Sequence, residues 1–210
     1  MAYPTHARAD RMTKFEYAAC VAASIAYLLM DQQDAAGLVL FDHAIRELIP
    51  PTRHTSRIRQ LIDVIDRATP DRDSNVARPR AELVEQVRHR GMVVLISDLL
   101  VPLDDVRAAL QRCRHAGHEA IVLHVLDRDE IDFPFTDNVL FEGLEAADVQ
   151  VLTDPQSLRR SYRTAMQAYL SQLRSACLDT GVDYALIATT DSLGVALSSF
   201  LARRMRRTRR

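Results

Sequence analysis

The chain has 210 residues, with 27 Lys and Arg against 28 Asp and Glu and a formal net charge of −1. That length supports one sizeable core, and the near-neutral balance argues against nucleic acid or another partner held by global electrostatics. No apolar run is long enough to span a bilayer, and the start MAYPTHARADR lacks the apolar core of a signal peptide, so the expectation is a cytoplasmic chain with no membrane insertion.

The first predicted element is a helix. Thr13 and Glu16 form a T-x-x-E capping box, and Val21, Ile25, Leu28 and Leu29 share one face after it. Gly37 to Phe41 is a short apolar strand. Asp42, His43 and Ala44 turn it into Ile45 to Ile49, an antiparallel edge strand expected to stop at Pro50-Pro51, since proline cannot donate to a ladder. Ile58, Leu61, Ile62 and Ile65 mark a second helix, and Thr69 to Pro79 is a polar loop.

From there a unit repeats: a helix with a basic end, a glycine, then an apolar strand. It occurs as VRHRG–MVVLIS, CRHAG–HEAIVLHVL and CLDTG–VDYALI. Gly91, Gly117 and Gly181 suit the left-handed position that ends a helix. Arg88, His89 and Arg90, like Arg112, Arg114 and His115, complement the negative end of the helix dipole. Strands alternating with helices predict crossover connections and a mostly parallel sheet. Asp127 to Asp148 reads as a loop-like insertion, with a short hairpin at Val139 to Phe141 and Val149 to Leu152. Asp154-Pro155 then opens a long helix carrying Leu158, Tyr162, Met166, Tyr169, Leu173 and Cys177 in register. A last helix runs from Ser192 to about Arg203. Residues 204–210 complete an arginine-rich tail, read as a solvated terminus. Cys20, Cys113 and Cys177 lack CxxC spacing and read as buried free thiols. Lys14 is the single lysine; together with abundant alanine this reads as codon bias rather than phosphate recognition.

Five blocks carry a resemblance over Met12 to about Arg203. They are KFEYAACVAASIAYL, GLVLFDHAIRELIPP, GMVVLISDLL, GHEAIVLHVLDRDEIDFPF, and DPQSLRRSYRTAMQAYLSQLRSACLDTGVDYALIATTDSLGVALSSFL. In this order and spacing they resemble the C-terminal, von Willebrand factor A-like part of the bacterial domain-of-unknown-function 58 proteins. The resemblance implies one Rossmann-like, three-layer α/β domain over residues 1–203, with a mostly parallel sheet and one antiparallel edge strand. It also implies a non-catalytic adaptor that acts with MoxR-type AAA+ ATPases.

In such relatives a D-x-S-x-S motif ends the central first strand. With a Thr from a second loop and an Asp from a third, it holds Mg²⁺ or Mn²⁺, cations that take hard oxygen ligands. Here the third element matches Asp98, and either Thr69 or Ser74 matches the second. The first motif and its central strand are missing, because Met1, a polar loop and Lys14-Phe15-Glu16-Tyr17 follow the order that comes after it. Hence no metal is expected for this chain, and Mg²⁺ or Mn²⁺ only if the native N-terminus is longer. Losing a central strand costs several kcal/mol in a fold about 5–15 kcal/mol stable. That favours a misassigned start or a truncated remnant over a short version that closes its sheet differently. The strands flanking the gap, Gly37 to Phe41 and Met92 to Ile96, must pair with each other or leave edges unpaired.

Asp98 lies just past a strand's C-terminal end, where open α/β sheets bind ligands. The plain alternative is a helix cap or a solvated carboxylate. Asp127 ends the next strand, either as a partner contact or as a turn residue opening the following loop. Phe133 and Phe135, around Pro134, either dock a partner or plug the sheet end. His115 and His118 read as helix-end caps, and His124 as a packed core histidine. A Mg²⁺-dependent hydrolase using Asp98 and Asp127 is the alternative function; the sequence names no further nucleophile or base for it.

Overall fold

The computed structural model describes residues 11–42, 44–69, 90–135, 139–142, 150–153 and 155–208. The first helix, α1 (Lys14–Asp31), opens with the predicted capping box. Thr13 Oγ1 accepts from the Glu16 N–H at 3.1 Å, and Glu16 Oε2 accepts from the Thr13 N–H at 2.8 Å. Strands β1 (Ala36–Phe41) and β2 (Ile45–Thr52) form an antiparallel pair. A 3₁₀ turn at Thr55–Arg57 leads into α2 (Ile58–Arg67), which packs on α1 and β1.

Pro50 and Pro51 do not end β2, which continues to Thr52. The ladder steps from Leu38↔Ile49 to Ala36↔Thr52, so both prolines fall in a bulge opposite Gly37, where no ladder donor is needed. The bulge depends on that glycine. A Cβ at Gly37 would lie 2.7 Å from the Ile49 carbonyl oxygen and 2.8 Å from the Pro51 nitrogen.

Three parallel strands follow, in the order β3 (Met92–Ser97), β4 (Glu119–Leu126), β7 (Asp183–Ala188). The first crossover is α3 (Leu103–His115). The second contains α4 (Arg128–Asp132), the hairpin β5 (Val139–Glu142) with β6 (Gln150–Thr153), and the long α5 (Pro155–Asp179). The stretch expected as a loop from Asp127 therefore begins with a helix, because Asp127 and Glu130 form a second capping box. The final helix, α6 (Leu193–Thr208), runs into the arginine-rich segment and past the expected end at about Arg203.

Alternation along β4 builds a three-layer α/β unit. Ile121, Leu123 and Val125 face α1 and α6, where Tyr17, Val21, Ile25, Ala196 and Phe200 are buried. Ala120 and Val122 face α3 and α5, against Val106, Leu110, Cys113, Leu173 and Cys177. A strand covered on both faces needs an unbroken apolar run, and IVLHVL supplies one apart from His124. Cys113 and Cys177 are buried free thiols and Cys20 is half-buried. Gly117 and Gly181 hold the left-handed turns that end α3 and α5, with φ of 77° and 67°. The helix expected before Gly91 lies outside the described residues, as do Ser74 and Asp154.

Among the described residues β1 pairs only with β2, and β3 pairs only with β4. Of the two outcomes expected for these strands, their pairing with each other is not found among the described residues. All six β3 residues are half-buried.

Candidate functional site at the strand ends

The C-terminal ends of the parallel strands carry a connected set of buried charges. Lys14, in the first turn of α1, is 2 % exposed. Its Nζ lies 3.1 Å from Asp98 Oδ2 and donates to Glu130 Oε1 at 2.7 Å. The chain's single lysine thus bridges the end of β3 and the helix that follows β4.

The local backbone places each member. Ser97 Oγ accepts from the Leu99 N–H at 3.1 Å, and Leu99 takes a left-handed φ of 48° with its side chain buried. Tyr169 of α5 donates to the carbonyl oxygens of Leu99 and of Val101, the latter at 3.2 Å. This tight turn presents the Asp98 carboxylate to Lys14. Asp127 is 1 % exposed. Its Oδ1 accepts from the Asp129 N–H at 2.8 Å, and its Oδ2 accepts from Thr189 Oγ1 at 2.9 Å, just past β7. Its own N–H donates to Glu130 Oε2 at 2.8 Å. Glu130 therefore joins Asp127 to Lys14 and so to Asp98.

His124 sits beneath this cluster, fully buried. Its Nε2 is 2.8 Å from the Asp98 carbonyl oxygen and its Nδ1 is 2.8 Å from the Tyr184 hydroxyl. A carbonyl only accepts, so Nε2 carries the proton and Nδ1 accepts from Tyr184. Burial holds the imidazole pKa down at about 4, against the weaker opposing pull of Asp98. For Asp98, burial pushes the pKa up and neighbouring positive charge, the Lys14 ammonium first, pulls it down, so that the net value lies below the ordinary one. The cluster at neutral pH is a neutral histidine under an ammonium flanked by carboxylates.

The structure brings Asp98 and Asp127 into one network but leaves Thr69 apart. Thr69 is exposed just beyond α2, a helix that packs on α1 and β1. These residues do not fit a Mg²⁺ or Mn²⁺ site. The Asp98 carboxylate faces an ammonium, and each Asp127 oxygen already accepts a hydrogen bond. Among the described residues, no three of His, Cys, Asp or Glu gather so as to hold an ion.

Phe133 is 4 % exposed, its ring tilted by 34° to that of Tyr162 with centroids 4.6 Å apart, and edge-on to Phe135 at 5.1 Å. It is packed among these aromatic rings, while Phe135 is half-buried. His115 caps α3 as expected, with Nδ1 2.8 Å from the Gln111 carbonyl. His118 does not; its Nδ1 accepts from the Gly91 N–H at 3.3 Å and ties the starts of β3 and β4 together. Lys14 and Glu130 are the two residues that sequence reasoning missed. A lone lysine and a D-x-x-E cap were the available signals.

Residues 3–171 match the family described as "Protein of unknown function DUF58". The chain belongs to this family. The DUF58 chain is also similar to "Uncharacterized protein Rv1480" of Mycobacterium tuberculosis and "Uncharacterized protein Mb1516" of Mycobacterium bovis. Each is 24% identical over 196 residues, covering 92% of this chain and 61% of the relative. The chain thus spans about three fifths of the length of these curated relatives. No solved structure matches it. Among the described residues no helix is long and apolar enough to cross a membrane.

Proposed function

We propose that this DUF58 chain is a non-catalytic protein-interaction module of von Willebrand factor A type, whose partner is a MoxR-type AAA+ ATPase of the cytoplasm. One observation carries the non-catalytic reading. The acidic groups at the strand ends are neutralised from within by Lys14 at 3.1 Å and 2.7 Å, rather than left facing an open cleft. A reactive carboxylate needs reach to a substrate proton or to a metal, and Asp98, Asp127 and Glu130 are turned toward partners inside the fold. The three-layer α/β arrangement supports the von Willebrand factor A reading, and the family resemblance supports the ATPase as partner. A hydrolase using Asp98 and Asp127 gains no support from this geometry.

The test is surface plasmon resonance between the full chain and the MoxR-type ATPase of the same genome, with and without nucleotide. The expected result is saturable binding. No binding in either nucleotide state would overturn the partner assignment, and turnover of phosphoesters lost in Asp98→Asn would overturn the non-catalytic reading.

A further inference from the structure

The N-terminal half of α5 carries a cluster of three arginines. Arg159, Arg160 and Arg163, with Thr164 and Gln167, line an open concavity of about 470 Å³. Arg160 and Arg163 are exposed, and among the described residues neither has a carboxylate partner. Arg159 is half-buried; its Nη2 donates to the Phe135 carbonyl at 2.8 Å, while its buried Nε has no hydrogen-bond partner. Other surface arginines are satisfied locally, as Arg46 is by Asp42, Arg107 by Asp104 and Arg128 by Asp132. The first turn of α5 holds no acidic residue. Arg159 and Arg163 stand at i,i+4 and Arg160 and Arg163 at i,i+3, so like charges lie side by side on the helix. Such a placement is unfavourable in the free chain and is relieved against an anion.

We infer that this concavity docks an acidic segment of a partner protein. The lining decides the chemistry. Arginine forks match carboxylates bidentately, and the neighbouring hydroxyl of Thr164 and amide of Gln167 suit a peptide backbone. No aromatic residue lines it for base stacking, and the chain's net charge of −1 works against a long polyanion. Two hydrogen bonds join the surface to the segment after β4. Arg159 is tied to Phe135, and between Arg160 and Arg163 the Tyr162 hydroxyl donates to the Glu130 carbonyl at 2.9 Å. A partner seated here therefore touches the same end of the fold as the Lys14 cluster.

This inference rests on the interaction-module reading, and its test separates the two. Fluorescence anisotropy of a labelled octaglutamate peptide is measured against the full chain, against Arg160→Glu/Arg163→Glu, and against a variant with Arg204, Arg206 and Arg207 changed to Gln. The expected result is salt-sensitive binding that the α5 variant weakens about tenfold or more and the tail variant leaves unchanged. Both α5 positions are exposed, so that variant keeps the wild-type melting curve. Equal binding by wild type and α5 variant would overturn the inference, as would an oligothymidylate of equal length binding tighter than the peptide. Undiminished ATPase binding by the α5 variant would overturn this surface and leave the module standing. Arginine-dependent peptide binding without ATPase binding would sustain the surface and remove the ATPase as partner.

Discussion

Lys14 is worth most as a counter-charge. A buried ion pair adds little net stability, but removing one partner strands the other in low dielectric and costs about 3–5 kcal/mol. Lys14→Met is therefore expected to lower the unfolding free energy by about that amount in urea titrations, and Lys14→Met with Asp98→Asn to recover part of it. His124 sets the acid response. Its folded pKa of about 4 lies below the unfolded value of 6.5, so the unfolded state takes up a proton first as pH falls. Stability from this residue is complete above pH 6.5 and drains away between there and about pH 4, by on the order of 3 kcal/mol. Asp98, whose folded pKa lies below its ordinary 3.8, contributes above that value and is lost only as pH falls further, through its folded pKa. Urea midpoints across that range should show the earlier loss in wild type and a flatter profile in His124→Gln. Tyr17 gives an opposite sign. Its buried hydroxyl has no hydrogen-bond partner among the described residues, and burial, aided by Asp191, pushes its pKa up to about 12. Tyr17→Phe is expected to be neutral or to stabilise by up to about 1 kcal/mol in the same titration.

Elements follow local rules except where a tertiary contact overrides them. The capping box at Thr13 and the apolar periodicity of α1 were legible because both signals are local. The run past Pro50-Pro51 was not, because it depends on Gly37 facing the prolines across the ladder. Gly37→Ala is expected to cost about 1–3 kcal/mol, since its Cβ would meet backbone rather than a movable side chain; a chemical-denaturation curve reads this directly. Helix α4 carried its own D-x-x-E signature, masked by a polar sequence that also fits a loop. Asp98 and Asp127 were found as site residues because strand ends are predictable from apolar runs. The lysine that pairs with Asp98 and Glu130 was not, because it comes from the distant first helix, 116 residues before Glu130 along the chain.

At the scale of the whole molecule, the sheet gathers three strand ends, and α1 supplies the cation that closes them. The helices on either face hold β4 dry, so charge at that edge is either paired or costly. A fold that neutralises its own acidic edge is suited to docking, and the arginines of α5, two of them without a carboxylate partner among the described residues, lie beside that edge. With Lys14 in place, that edge is expected to bind no metal ion. The measurement that tests it is the thermal unfolding midpoint of the full chain in EDTA against millimolar Mg²⁺ and Mn²⁺, for wild type and Asp98→Asn. A cation that binds the folded state raises the midpoint by mass action. With Lys14 serving as the cation, wild type should show the same midpoint in all three buffers. A saturable rise with Mg²⁺ or Mn²⁺ that disappears in Asp98→Asn would contradict it and make the strand ends a metal site.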